Sequence, residues 1–139
     1  MPAIQDISTF HAVREAGLNK LVPAVPRVAI GMGTCGIAAG ARETMDAIQQ
    51  ELGRFGITAH VGTVGCIGMC AKEPLVDIQQ GGKSHILYAN VNPEMVPKLI
   101  ELHIVKGQPV REWVICRMPS AGSPIMTSRS STPLTTTKC

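Results

Sequence analysis

Three of the five cysteines in this 139-residue chain stand in two glycine-rich segments: Cys35 in MGTCGIAAG, and the C-x3-C pair Cys66 and Cys70 in GCIGMC. Deprotonated thiols are soft donors suited to iron–sulfur clusters and zinc, and they are also the nucleophiles of thiol–disulfide exchange. An odd count argues against a closed disulfide framework, and in a reducing compartment clustered cysteines are more often metal ligands or catalytic thiols. Structural zinc also takes four ligands, but usually from C-x2-C knuckles, which this sequence lacks. Packing as small buried hydrophobes accounts for any one cysteine but not for three in two loops that converge.

Convergence follows from the elements around them. Arg27, Val28, Ala29, Ile30, Gly31 and Met32 read as a buried strand, and Cys35 lies in the loop after it. A helix over about residues 38–55 follows, with Ala41, Met45, Ile48, Leu52 and Phe55 as its apolar stripe. Residues 57–64 read as a second strand, which delivers the chain to the loop of Cys66 and Cys70. Strands joined through a helix run parallel, so both loops leave the same end of the sheet, and about thirty residues of separation collapse into proximity. The glycines at 31, 33, 36, 65 and 68 would let backbone amides approach the thiolates closely and donate to them.

Residues 75–80 and 85–90 form two further strands around a GGKS hairpin turn at 81–84. Asn92 and Pro93 open a last helix running to about Val105, with Val96, Leu99, Ile100 and Ile104 facing the core; Pro97 is awkward in it because it removes a backbone bond. The order β-α-β, β-hairpin, α describes an α/β fold: a four-stranded mixed sheet with helices, the thioredoxin-like arrangement. An extra N-terminal helix over residues 4–18 places Ile7, Phe10 and Val13 on one face and stops at Gly17. Its apolar face suits a partner protein or a second copy. The expected units are a helix and linker at 1–25, one domain at 26–116, and a loose Ser-, Thr- and Pro-rich tail at 117–139.

Composition narrows the function. One domain with a real core fits this length, and with aromatics at 3% that core is aliphatic. The net charge of +3 is scattered rather than clustered, which gives nucleic-acid binding little support. No apolar run approaches the ~20 residues of a membrane span, and the polar start MPAIQDISTF is not a secretory signal. A soluble, cytoplasmic protein is expected. Gly31-x-Gly33-x-x-Gly36 spells a dinucleotide fingerprint, but the second strand ends at Cys66 with no acidic residue for a ribose, and the chain is short for a doubly wound sheet.

With these residues in view, the chain resembles the thioredoxin-like [2Fe–2S] ferredoxin family. The resemblance is carried by GMGTCGIAAGAR (31–42), GCIGMCAKEPLVDI (65–78) and HIVKGQPVREWVI (103–115). It implies a non-enzymatic one-electron carrier, or a subunit of an NAD(P)H-linked flavoprotein, dehydrogenase or hydrogenase assembly, with a [2Fe–2S] cluster on Cys35, Cys66 and Cys70. The family commonly uses four cysteines, the first two spaced C-x4-C. Cys35 matches the second, and Ile30, which cannot ligate iron, stands where the first is expected. The fourth position then falls to Cys116, to Cys139, to a non-cysteine ligand such as Thr34 or solvent, or the fold persists without a cluster. A three-cysteine site should be weaker and more oxygen-sensitive than a four-cysteine one.

Two other functions remain open from sequence: a thiol oxidoreductase using Cys66 and Cys70, although no C-x-x-C heads the first helix of the β-α-β unit, and a cluster-free docking subunit. Of the histidines, His60 reads as structural, His85 and His103 lie in elements far from the cysteine loops, and His11 is on the first helix. Lys72 and Glu73 read as a solvated turn, with partner docking or tuning as the functional alternative. Met32 and Met69 border the site.

Overall fold

A computed structural model of the chain describes residues 6–21, 24–81 and 83–119. Helix α1 spans Ile7–Leu21, and Asp6 opens it: one carboxylate oxygen accepts from the Thr9 amide and the Ser8 hydroxyl, both at 2.7 Å. Those bonds hold the Asp6 pKa at about 2. The helix runs through Gly17 rather than stopping there. Ile7, Phe10, Val13 and Leu18 are exposed along it.

Strand β1 (Arg27–Gly31) is the centre of the fold. A short helix α2 (Thr34–Ala38) and the longer α3 (Ala41–Arg54) lead to β2 (His60–Val64). The helix expected at 38–55 is α3, and the expected loop around Cys35 holds the short α2; Gly40, at φ 95° in a left-handed conformation, separates the two. Strands β3 (Val76–Gln79) and β4 (His85–Tyr88) form the expected hairpin. A 3-10 turn at Pro93–Met95, capped by the Asn92 side chain, leads into α4 (Val96–Leu99) and a π-helical stretch at Ile100–Val105. Pro97 falls in the first turn of α4, where its missing N–H has no helical partner to lose.

The sheet has five strands in the order β2-β1-β3-β4-β5, not four. The added edge strand β5 (Val114–Met118) pairs antiparallel with β4 and carries the sheet past residue 116. Its burial does not alternate cleanly, and a register shift opposite Leu87 and Tyr88 interrupts it, so the sequence shows no period of two there. The kind of fold is the one expected. β1 and β2 are parallel neighbours, and the other pairings are antiparallel. Most of the tail, including Cys139, lies outside the described residues.

One sheet face carries the main core. Val28 and Ile30 of β1, Val76 and Ile78 of β3, and Ile86 and Tyr88 of β4 pack with Ile48 and Leu52 of α3 and with Val96, Leu99 and Ile100. Alternate strand residues therefore point at the helices. The other face holds a smaller cluster of Leu75, Leu87, Ala89 and Cys116.

Inside the main core, the Tyr88 hydroxyl and His103 Nδ1 share a hydrogen bond of 2.8 Å. Burial, with Lys83 adding to it, lowers the His103 pKa from the ordinary 6.5 to about 4. The unfolded chain takes up this proton below pH 6.5, while the folded chain does not until about pH 4. Stability is therefore complete above pH 6.5 and falls as pH drops from 6.5 towards 4. A loss of about 2 kcal/mol between pH 7 and 4.5 is expected, measured by urea unfolding and matched by an imidazole that stays neutral by NMR through pH 5.5.

Candidate metal centre

The first cysteine loop is set by where β1 ends. The ladder to β2 runs one residue further, with the Met32 amide donating to the Val64 carbonyl at 2.8 Å. Met32 and Gly33 then turn the chain, and Cys35 is the second residue of α2. β2 ends at Val64, the loop carries Cys66, and Cys70 opens a 3-10 turn through Lys72. A cis peptide between Glu73 and Pro74 leads into β3. Both loops leave the carboxyl ends of parallel neighbours, as the β-α-β reading expects.

The three sulfurs meet. Cys35 Sγ lies 2.8 Å from Cys70 Sγ, and Cys66 Sγ lies 3.5 Å from it. All three sit within 4.8 Å of one another, and no other metal-ligating group of this kind occurs among the described residues. Cys70 is the hub. The thiols are free, with Cys66 and Cys70 exposed and Cys35 half-buried. The Gly68 amide donates to Cys66 Sγ at 3.3 Å, from a backbone at φ 85° that favours glycine.

Two other glycines let the loops close on each other. A Cβ on Gly33 would stand 2.8 Å from the Cys66 Cβ, and one on Gly36 would collide with the Gly31 carbonyl oxygen. Gly36→Ala should cost about 1–3 kcal/mol by overpacking and push α2 away from β1, carrying Cys35 with it. A lower urea midpoint together with weaker metal retention checks this.

The remaining candidates are placed elsewhere. Ile30 is fully buried within the main core. Cys116 is buried on β5 in the second core cluster, outside the group of three sulfurs, and it is not one of the free thiols. Thr34 is exposed at the start of α2. His85 Nδ1 is 3.0 Å from Asp77 Oδ2, and His60 is exposed at the start of β2. Met32 and Met69 are half-buried and pack against the two core clusters.

Lys72 is exposed as a solvated turn would have it, but Glu73 is not. It is only 7% exposed; its Oε2 accepts from the Leu75 amide at 2.8 Å, while Oε1 has no hydrogen-bond partner among the described residues. Both oxygens lie against the space a side chain at Gly31 would fill. The sequence offers only the charge at this position. Its burial depends on how the turn before Pro74 folds under α2.

The donor set fits a thiolate-held iron centre. Three free thiols within 4.8 Å of one another are soft donors of the kind that iron–sulfur clusters take. Ile37 in α2, Val64 at the end of β2 and Ile67 between Cys66 and Cys70 are exposed, an apolar rim within two residues of the cysteines in sequence.

No family model matches the chain. It is 32% identical over 82 residues to the NADP-reducing hydrogenase subunit HndB of Solidesulfovibrio fructosivorans, covering 58% of this chain and 65% of that protein. It is 28% identical over 81 residues to a 2Fe-2S ferredoxin of Aquifex aeolicus, covering 56% of this chain and 70% of the ferredoxin. The structure of a thioredoxin-like [2Fe-2S] ferredoxin from Aquifex aeolicus superposes with a TM-score of 0.59 at 23% identity, over 71% of this chain and 97% of that one. The chain therefore has the thioredoxin-like fold of that ferredoxin, and over more than half of its length it is similar in sequence to a two-iron ferredoxin and to a hydrogenase subunit.

Proposed function

We propose that this chain is a [2Fe–2S] electron-transfer protein, acting as a one-electron carrier or as the accessory subunit of an NAD(P)H-linked flavoprotein, dehydrogenase or hydrogenase assembly in the cytoplasm. Cys35, Cys66 and Cys70 are its thiolate ligands. The observation that carries the reading is the meeting of three free thiols within 4.8 Å at the ends of β1 and β2. The cluster, when bound, supplies a site that takes up and gives back one electron.

The chain's own residues do the rest. The thiolates hold the metal centre, and the Gly68 amide places a donor on Cys66 Sγ, which favours negative charge there. The exposure of Cys66 and Cys70 puts the centre at the surface, where a partner can approach. The rim of Ile37, Val64 and Ile67 gives that partner an apolar surface. The exposed face of α1 offers a second contact for a partner subunit or another copy.

Anaerobic reconstitution with iron and sulfide is the test. About two irons and two labile sulfides per chain, with an EPR signal on reduction, support the reading. A folded, colourless, iron-free protein would instead favour a docking subunit without a cluster. A thiol oxidoreductase would draw on the closest pair, Cys35 and Cys70 at 2.8 Å, rather than on Cys66 and Cys70. That reading predicts a colourless protein whose two thiols are lost together on mild oxidation.

A further inference from the structure

Three thiols leave a two-iron cluster one protein ligand short, since such clusters take four. Glu73 stands three residues past Cys70 on the same loop. Its carboxylate is buried, and only Oε2 has a partner, the Leu75 amide. Oε1 is a buried carboxylate oxygen with no hydrogen-bond partner among the described residues. Burying such an atom is costly unless something pairs with it.

The carboxylate also sits in a telling place. A Cβ built on Gly31 would lie 2.9 Å from Oε1 and 2.8 Å from Oε2, and one on Gly36 would lie 3.2 Å from Oε2. Gly31 and Gly36 bracket Cys35. Glu73 therefore reaches from the loop of Cys66 and Cys70 into the side-chain space of the Cys35 loop. The Leu75 amide fixes one oxygen and leaves the other available. The carboxylate lies outside the 4.8 Å group of three sulfurs, so ligation requires its side chain to swing towards them. Of the other candidates, Thr34 carries a neutral hydroxyl, a weaker donor than a carboxylate, and Cys116 is not a free thiol.

We propose that Glu73 Oε1 is the fourth protein ligand of the cluster, giving a site of three thiolates and one carboxylate. This rests on the [2Fe–2S] reading above. No electron moves in this step: the carboxylate oxygen donates a lone pair to iron and displaces solvent.

Two variants test it against the wild type, all reconstituted anaerobically and read by iron content, visible absorption and the EPR signal of the reduced protein. Glu73→Gln keeps the size and removes the anionic donor. It should retain less than half the wild-type iron, or show shifted EPR g-values if solvent fills the vacant position. The double variant Gly31→Cys/Glu73→Ala removes the carboxylate and puts a thiol into the space it occupied. It should recover the wild-type iron content, with stronger sulfur-to-iron absorption than the wild type. A Glu73→Gln protein with full iron and an unchanged spectrum and EPR signal overturns the proposal. If Glu73→Gln does not fold, the double variant decides: a protein folded by circular dichroism that stays colourless overturns it. A wild type that itself takes up no iron defeats the cluster reading, a different result from a wild type that loads while Glu73→Gln loads equally well.

Discussion

Cys70→Ser is expected to lose nearly all of its iron on anaerobic reconstitution, with the visible bands and the reduced EPR signal lost together. The geometry gives Cys70 this weight. Its sulfur lies 2.8 Å from that of Cys35 and 3.5 Å from that of Cys66, so it is the atom the other two share. It also opens the 3-10 turn that leads to Glu73. A serine oxygen is a harder, less polarisable donor than a thiolate and binds iron less well. Cys35→Ser and Cys66→Ser should lose iron too, each leaving a pair of thiolates on Cys70 or beside it. Cys116→Ser is the contrast: its side chain is buried on β5 in the second core cluster, outside the sulfur group, and its iron content should stay at the wild-type level. Loss of iron in Cys116→Ser, with the fold intact, would return the fourth position to that residue.

The convergence of Cys35, Cys66 and Cys70 was legible because it needs only topology. A strand, a helix and a second strand force parallel neighbours, and the loop after each strand follows. The helical side of the main core was legible from spacing: Ile48, Leu52, Val96, Leu99, Ile100 and Ile104 recur at three and four residues, and all are buried in it. Three features were not legible, two of them because they depend on contacts between distant residues and one because it depends on a single backbone angle. β5 exists because β4 offers an open edge, and its own sequence has no clean alternation. The break between α2 and α3 hangs on one glycine with positive φ inside a run of good helix formers. Glu73 looks like any charge in a loop until its carboxylate is seen filling the space left by Gly31. Counting back five residues from Cys35 leads to Ile30, whereas the glycine whose side-chain space meets the Glu73 carboxylate is its neighbour, Gly31. One residue along a strand changes the face.

That distinction gives the second large effect. Ile30→Ala should destabilise the apo protein by about 3–4 kcal/mol, the cost of the lost burial plus the cavity left behind. Ile30 has no exposed surface, pairs with Thr63 on β2 and Val76 on β3, and packs in the cluster that joins the sheet to α3 and α4. No neighbour is placed to collapse into the gap, because both flanking strands are held by their ladders. A loss of this size is a large share of the 5–15 kcal/mol that folds a domain, and a drop in Tm of about 10 °C would accompany it. Urea unfolding of the reduced, iron-free protein reads the effect without any contribution from a bound metal. Ile30→Cys separates packing from ligation at the same position. Its thiol would point into the core under α3, so it should cost less than the alanine and leave the iron content and spectrum of the loaded protein unchanged. A gain in iron or in sulfur-to-iron absorption with Ile30→Cys would mean that this strand can turn its core face to the metal, and the assignment of position 30 to the core of the loaded protein would fall.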